Sequence, residues 1–115
     1  MSRRYPTVVL REMLDSSREA AVFTQGRSRA DLQADLMFEY AVLHLVHVVG
    51  GVARRMPRQL RPSYPTIPWN DIIDVGEHVL RDYDAINYDR VWDALQHNIP
   101  DFVALLEAFL RDEGV

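Results

Sequence analysis

The stretch "LMFEYAVLHLVHVVGGVA", Leu36 to Ala53, restricts the fold more than any other. Only Glu39, His44 and His47 break its apolar run strongly. Wound as a helix, roughly Asp35 to Met56, it is apolar around most of its circumference. A single stripe facing one core does not use such a surface, so a second partner surface is expected. A dimer, or a higher oligomer of dimers, follows, with the long helix at the interface. A central helix wrapped by its own chain is the alternative. A membrane span is not expected, because Arg54 and Arg55 follow at once and Gly50-Gly51 sits inside the run.

The remaining segments supply helices to pack on it. Pro6 and Thr7 open a first helix running to about Gln25, with Leu10, Met13, Leu14 and Ala21 on its buried stripe and Gly26 as its stop. Ser28 followed by Asp31 marks a short helix leading into the long one. Pro57, Pro62, Pro65 and Pro68 then chop the chain into a short turn and an extended connector. "IPWNDII" restarts a helix that ends near Ile86, with Trp69 as a packing anchor. Asn87 caps the last helix, where Val91, Trp92, Leu95, Phe102, Leu105, Leu106 and Phe109 face inward and Pro100 bends or splits it. No segment alternates with period two. The expected class is all-α: an antiparallel bundle of four to five helices forming one domain over residues 1–115.

Composition narrows the chemistry. The chain has no cysteine, which removes disulfides, thiolate metal sites and a cysteine nucleophile. "MSRRYPTVVL" lacks the apolar run of a secretory signal, so a cytoplasmic protein is expected. A net charge of -4 opposes a broad, nonspecific grip on nucleic acid. Arg54, Arg55, Arg58 and Arg61 nevertheless form a local basic patch.

His44 and His47 stand three apart, a spacing at which two imidazoles can face one ion. No nearby carboxylate pair completes a ligand set, so neither a metal nor a cofactor is expected. No serine sits in a nucleophile elbow, and Gly50-Gly51, inside a helix, suits close helix approach rather than phosphate binding. The richest stretch is "VGEHVLRDYDAINYDRVW", Val75 to Trp92. On a helix His78 and Arg81 share a face, with Asp82 one turn on from His78. A histidine beside an arginine can move a proton next to a phosphate whose charge the arginine offsets. RNA cleavage through the ribose 2′-hydroxyl needs such a pair and no metal. Spacing alone also allows a solvated, salt-bridged helix face.

The order of segments resembles the HepT-like branch of the HEPN superfamily over nearly the whole chain. "RRMPRQLRPSYPTIPWNDII" is similar to the family's basic helix and "L…YP.IPW..I" passage. "DYDAINYDRVWDALQHNIPDF" is similar to its "Y..I….VW" ending, at the family's separation. The resemblance implies a helical toxin-type ribonuclease in which two protomers line a shared cleft. It also implies a partner, an MntA-like minimal nucleotidyltransferase, that acts as antitoxin by transferring AMP to a motif tyrosine.

That family motif reads arginine, often asparagine, then histidine, any residue, tyrosine. Anchored on Ile67-Pro68-Trp69 and Val91-Trp92, it falls on this chain without a gap. The motif tyrosine meets Tyr83, which makes Tyr83 the candidate AMPylation site. The motif histidine meets Arg81, the arginine meets Gly76 and the asparagine meets Glu77. The long helix departs too: "HLVHVVGG", His44 to Gly51, stands where relatives show a polar "RN.E..GE" pattern, and only Gly50 is kept. His78, Arg81 and Tyr83 are therefore the catalytic candidates of a rearranged site. His44, His47, Glu77, Asp82, Arg54, Arg55, Arg58 and Arg61 are candidates for contact with RNA or a partner. The competing expectation is an inactive HEPN dimer that binds RNA or a nucleotidyltransferase without cutting.

Overall fold

The computed structural model describes residues 4–112. Six α-helices occupy them: α1 (Arg4–Phe23), α2 (Arg29–Ala34), α3 (Leu36–Arg54), α4 (Trp69–Arg81), α5 (Tyr88–Asp93) and α6 (Ile99–Asp112). A 3-10 turn, Arg58–Ser63, precedes α4, and a wide π turn, Ala94–Asn98, joins α5 to α6. Among the described residues there is no strand, as the missing period-two pattern predicts. The arrangement is an all-α, HEPN-like helical bundle.

Local chemistry sets the boundaries. Asp31 accepts the Ser28 backbone N–H at 2.8 Å, which fixes the start of α2. Asp35 then caps α3 by accepting the Phe38 N–H at 3.1 Å. Those backbone N–H groups, the largest cause in each case, hold both carboxyls below their ordinary range. Arg27 bridges the same two carboxylates and lies 3.9 Å above the Phe38 ring, so the turn into α3 is braced from outside.

One expected boundary shifts, and one expected break is located. The helix opening at Trp69 stops at Arg81 rather than near Ile86, because Asp82 turns out of helical geometry with its N–H on the His78 carbonyl. The last helix is divided before Pro100. Proline has no N–H to give, and the chain widens there, with Ile99 reaching back five residues to the Ala94 carbonyl.

The core draws on every long helix. Leu10 and Met13 of α1, Val42, Val46 and Val49 of α3, Ile72 of α4, and Phe102 and Leu106 of α6 are closed off from solvent or nearly so. Trp92, Leu105 and Phe109 pack against this core only partly buried, and Ala20 rather than Ala21 is the sealed alanine of α1. Helix α3 packs on both α1 and α4. It is also the one helix among the described residues long and apolar enough to cross a membrane. Its own chain covers one face, through Phe38, Val42, Leu45, Val46, Val49 and Ala53. Leu36, Met37 and Tyr40 remain exposed on the other.

Helix α3 crosses α4 at close range. A Cβ built on Gly50 would lie 2.8 Å from the Ile72 carbonyl oxygen, and one on Gly76 would lie 2.9 Å from the Gly50 Cα. Backbone meets backbone there, which only a pair of glycines permits.

Candidate functional site at the end of α4

The stretch that drew attention in the sequence spans the end of α4 and the loop into α5. His78 is buried, 7% exposed. Its Nδ1 lies 3.0 Å from Asp82 Oδ2, and its Nε2 accepts the Asn87 backbone N–H at 3.0 Å. A backbone N–H can only donate, so Nε2 carries the lone pair and the proton sits on Nδ1, donated to Asp82. The His78 hydrogen bond, then that of Arg81 at 3.4 Å, hold the Asp82 carboxyl below its usual range. Neither imidazole nitrogen faces a reacting group. The structure thus gives His78 two internal partners where the spacing suggested a proton carrier. Asn87 in turn caps α5 by accepting the Arg90 N–H at 3.1 Å.

Arg81 reaches this set only through Asp82, and both Arg81 and Tyr83 are exposed, Tyr83 at 76%. Gly76, at the motif arginine's place, is buried against Gly50 and presents no side chain. Glu77, at the asparagine's place, accepts from Arg54 of α3 at 2.8 Å. On the α3 side, His47 donates Nδ1–H to the Gly76 carbonyl at 3.2 Å, a bond that Gly76's missing side chain leaves room for. His44, one turn before it, is exposed. No group of three or more potential metal ligands occurs among the described residues.

The basic patch is largely spent internally. Arg54 pairs with Glu77, and Arg55 pairs with Glu12. Arg61 donates to the Met56 carbonyl at 3.1 Å and lies 3.5 Å from the Arg54 carbonyl, so it caps the end of α3. Of the four, only Arg58 has neither an ion pair nor a carbonyl partner among the described residues. It opens onto a groove of about 680 Å³ walled by Pro62, Pro65, Pro68 and Trp69.

The structure brings His78, Arg81 and Asp82 together, as spacing predicted, and joins Arg54 to Glu77 across the helices. It does not join His78 to the arginine patch. Sequence reasoning missed the Asn87 amide as the second partner of His78. The available signal was a helix-capping asparagine nine residues beyond a histidine at a helix end. It also missed that Gly50 and Gly76 form one contact, although both glycines lie in predicted helices.

The family model described as Ribonuclease HepT-like matches residues 13–109. Among curated proteins, "Putative RNase MJ0127" of Methanocaldococcus jannaschii is 21% identical over 112 residues, covering 97% of this chain and 93% of that one. "Putative RNase MJ0125" of the same organism is 22% identical and covers 97% of both chains. "Probable ribonuclease HepT" of Thermococcus cleftensis is 20% identical over 85 residues, covering 74% of this chain and 77% of the relative. No solved structure matches.

Proposed function

The chain belongs to the Ribonuclease HepT-like family, and from that membership we propose that it is the HepT-like half of a cytoplasmic toxin–antitoxin pair. In this proposal it forms a dimer, engages RNA and an MntA-like nucleotidyltransferase, and has lost the family's arginine–histidine route of RNA cleavage.

One observation carries the proposal: the end of α4 and the loop after it keep a tyrosine and a cation but offer no free proton carrier. Cleavage through the 2′-hydroxyl needs a group that takes a proton near neutral pH. Arg81 stands in the motif histidine's place, and a guanidinium stays charged at any such pH. It can hold a phosphate and cannot act as a base. Gly76 contributes no charge where the family has arginine, and both nitrogens of His78 are engaged. Tyr83, exposed at the motif tyrosine's place, suits the acceptor of AMP. The exposed Leu36, Met37 and Tyr40 on α3 suit burial against a second copy.

A cutting version of the protein has a single observation in its favour. His47 is fixed by its Nδ1 bond to Gly76, and among the described residues its Nε2 has no partner. An imidazole oriented through one nitrogen is a usable base through the other.

Purified protein with tRNA and with mRNA separates the two. Fluorescence anisotropy reads binding and denaturing gels read cleavage, for the wild type and for His47→Ala, His78→Ala and Arg81→Ala. Bound, intact RNA with weaker binding by Arg81→Ala supports the proposal. Cleavage abolished by His47→Ala supports the cutting version. A mass increase of AMP units on Tyr83, after mixing with the nucleotidyltransferase of the adjacent gene and ATP, supports the paired system. An unchanged mass removes Tyr83 as the acceptor.

A further inference from the structure

We propose that His78 is a positioning residue, a clasp that ties the end of α4 to the start of α5 and so fixes the loop presenting Arg81 and Tyr83. For Tyr83 as acceptor this rests on the proposed function; for the clasp itself it rests on geometry alone.

Three observations carry it. First, His78 uses both ring nitrogens across a nine-residue separation, Nδ1–H to Asp82 at the end of α4 and Nε2 to the Asn87 amide that opens α5. Second, both ends of the loop are independently tied to helix termini. The Asp82 N–H bonds the His78 carbonyl at 2.9 Å, and the Asn87 side chain accepts from Arg90. The imidazole therefore closes a ring of hydrogen bonds around residues 82–87. Third, His78 is buried while its neighbours Leu80, Arg81 and Tyr83 are exposed. His78 is the inward polar side chain of the stretch, beside the buried Val79, and it fastens the loop.

This arrangement explains why a histidine persists beside a degenerate motif. Only a neutral, Nδ1-protonated imidazole donates to a carboxylate and accepts from an amide at once. Leucine could fill the volume but would leave the Asn87 amide without its acceptor. Glutamine keeps one donor and one acceptor at the end of a similar reach.

The test uses the full chain as wild type, His78→Leu and His78→Gln. Limited trypsin digestion reads the bond after Arg81 against the bond after Arg58, and hydrogen exchange by NMR reads the Asn87 amide. His78→Leu is expected to speed cleavage after Arg81, and exchange of the Asn87 amide, about tenfold, the change that loss of one buried hydrogen bond brings. Cleavage after Arg58 should change far less. His78→Gln should recover most of the wild-type protection. Nitrogen shifts of the wild-type ring should show the proton on Nδ1 at neutral pH. Equal acceleration at both bonds would mean general destabilisation and overturn the clasp. An unchanged Asn87 amide in His78→Leu, a proton on Nε2, or failure of glutamine to rescue overturns it too. Absence of AMP on wild-type Tyr83, by contrast, counts against the proposed function and leaves the clasp to be decided by the loop data.

Discussion

Placing an alanine at Gly76 tests how closely α3 and α4 cross. The new Cβ would stand 2.9 Å from the Gly50 Cα and 3.3 Å from the Val46 carbonyl oxygen, both backbone atoms that cannot rotate away. The helices must separate, and overpacking of this kind costs about 1–3 kcal/mol. Against that, alanine is better than glycine inside a helix by about 1 kcal/mol. The net expectation is a loss of up to about 2 kcal/mol. Gly51→Ala is the matched control: Gly51 lies in α3, is exposed, and its Cβ would meet nothing within 4 Å. It gains the propensity term alone, about 1 kcal/mol. At about 4 °C per kcal/mol for a domain of this size, Gly76→Ala should melt below Gly51→Ala by roughly 4–12 °C. Urea denaturation with an unchanged slope gives the same difference in free energy. Gly50→Ala combined with Gly76→Ala should cost less than the sum of the two, since one separation admits both methyls. Gly76→Ala as stabilising as Gly51→Ala would refute the close crossing. The same contact bears on function, because Gly76→Arg, which restores a motif residue, should unsettle the α3–α4 packing rather than rebuild a cutting site.

Asn87→Ala removes the α5 cap and should lower stability by about 1 kcal/mol, read by thermal melting. Arg58→Ala should leave Tm unchanged while reducing the slope of log RNA affinity against log salt by about 1; Arg61→Ala, which uncaps α3, should instead lower Tm. Asp31, Asp35 and Asp82 have carboxyls held below their ordinary range, so their stabilisation is present above the unfolded value near pH 4. It is lost as pH falls through the lowered folded values, and melts from pH 5 to pH 2 should show that loss reduced in Asp82→Asn. The Tyr88 hydroxyl, raised by its 2.9 Å hydrogen bond to Glu39, works in the other direction. Its contribution is present below about pH 10 and lost as pH rises through the higher folded value; Tyr88→Phe should flatten that alkaline decline.

Much of the fold was legible from the chain. The Asn87 cap, the Ser28–Asp31 start, the Pro68–Trp69 restart and the interruption at Pro100 are local rules acting over three or four residues. The end of α4 was not legible, because it depends on a tertiary bond from His78 to an amide nine residues away. The glycine crossing was half read: Gly50 signalled close helix approach, but its partner Gly76 appears only when α3 lies on α4. The chemistry of the candidate site was read half correctly. Spacing put His78, Arg81 and Asp82 on one face, but spacing carries no information on burial, and burial is what turns His78 inward. The arginine patch shows the same limit, since charge counts do not reveal that Glu12, Glu77 and the end of α3 already occupy three of its members.

The most direct test is the fate of RNA itself. The purified chain, incubated with tRNA and mRNA at neutral pH, should bind RNA through a complex weakened by Arg81→Ala while every strand stays full length. Fragments ending in 2′,3′-cyclic phosphate from the wild type would contradict the account, and their loss in His78→Ala without recovery in His78→Gln would make His78 a proton carrier and not a clasp.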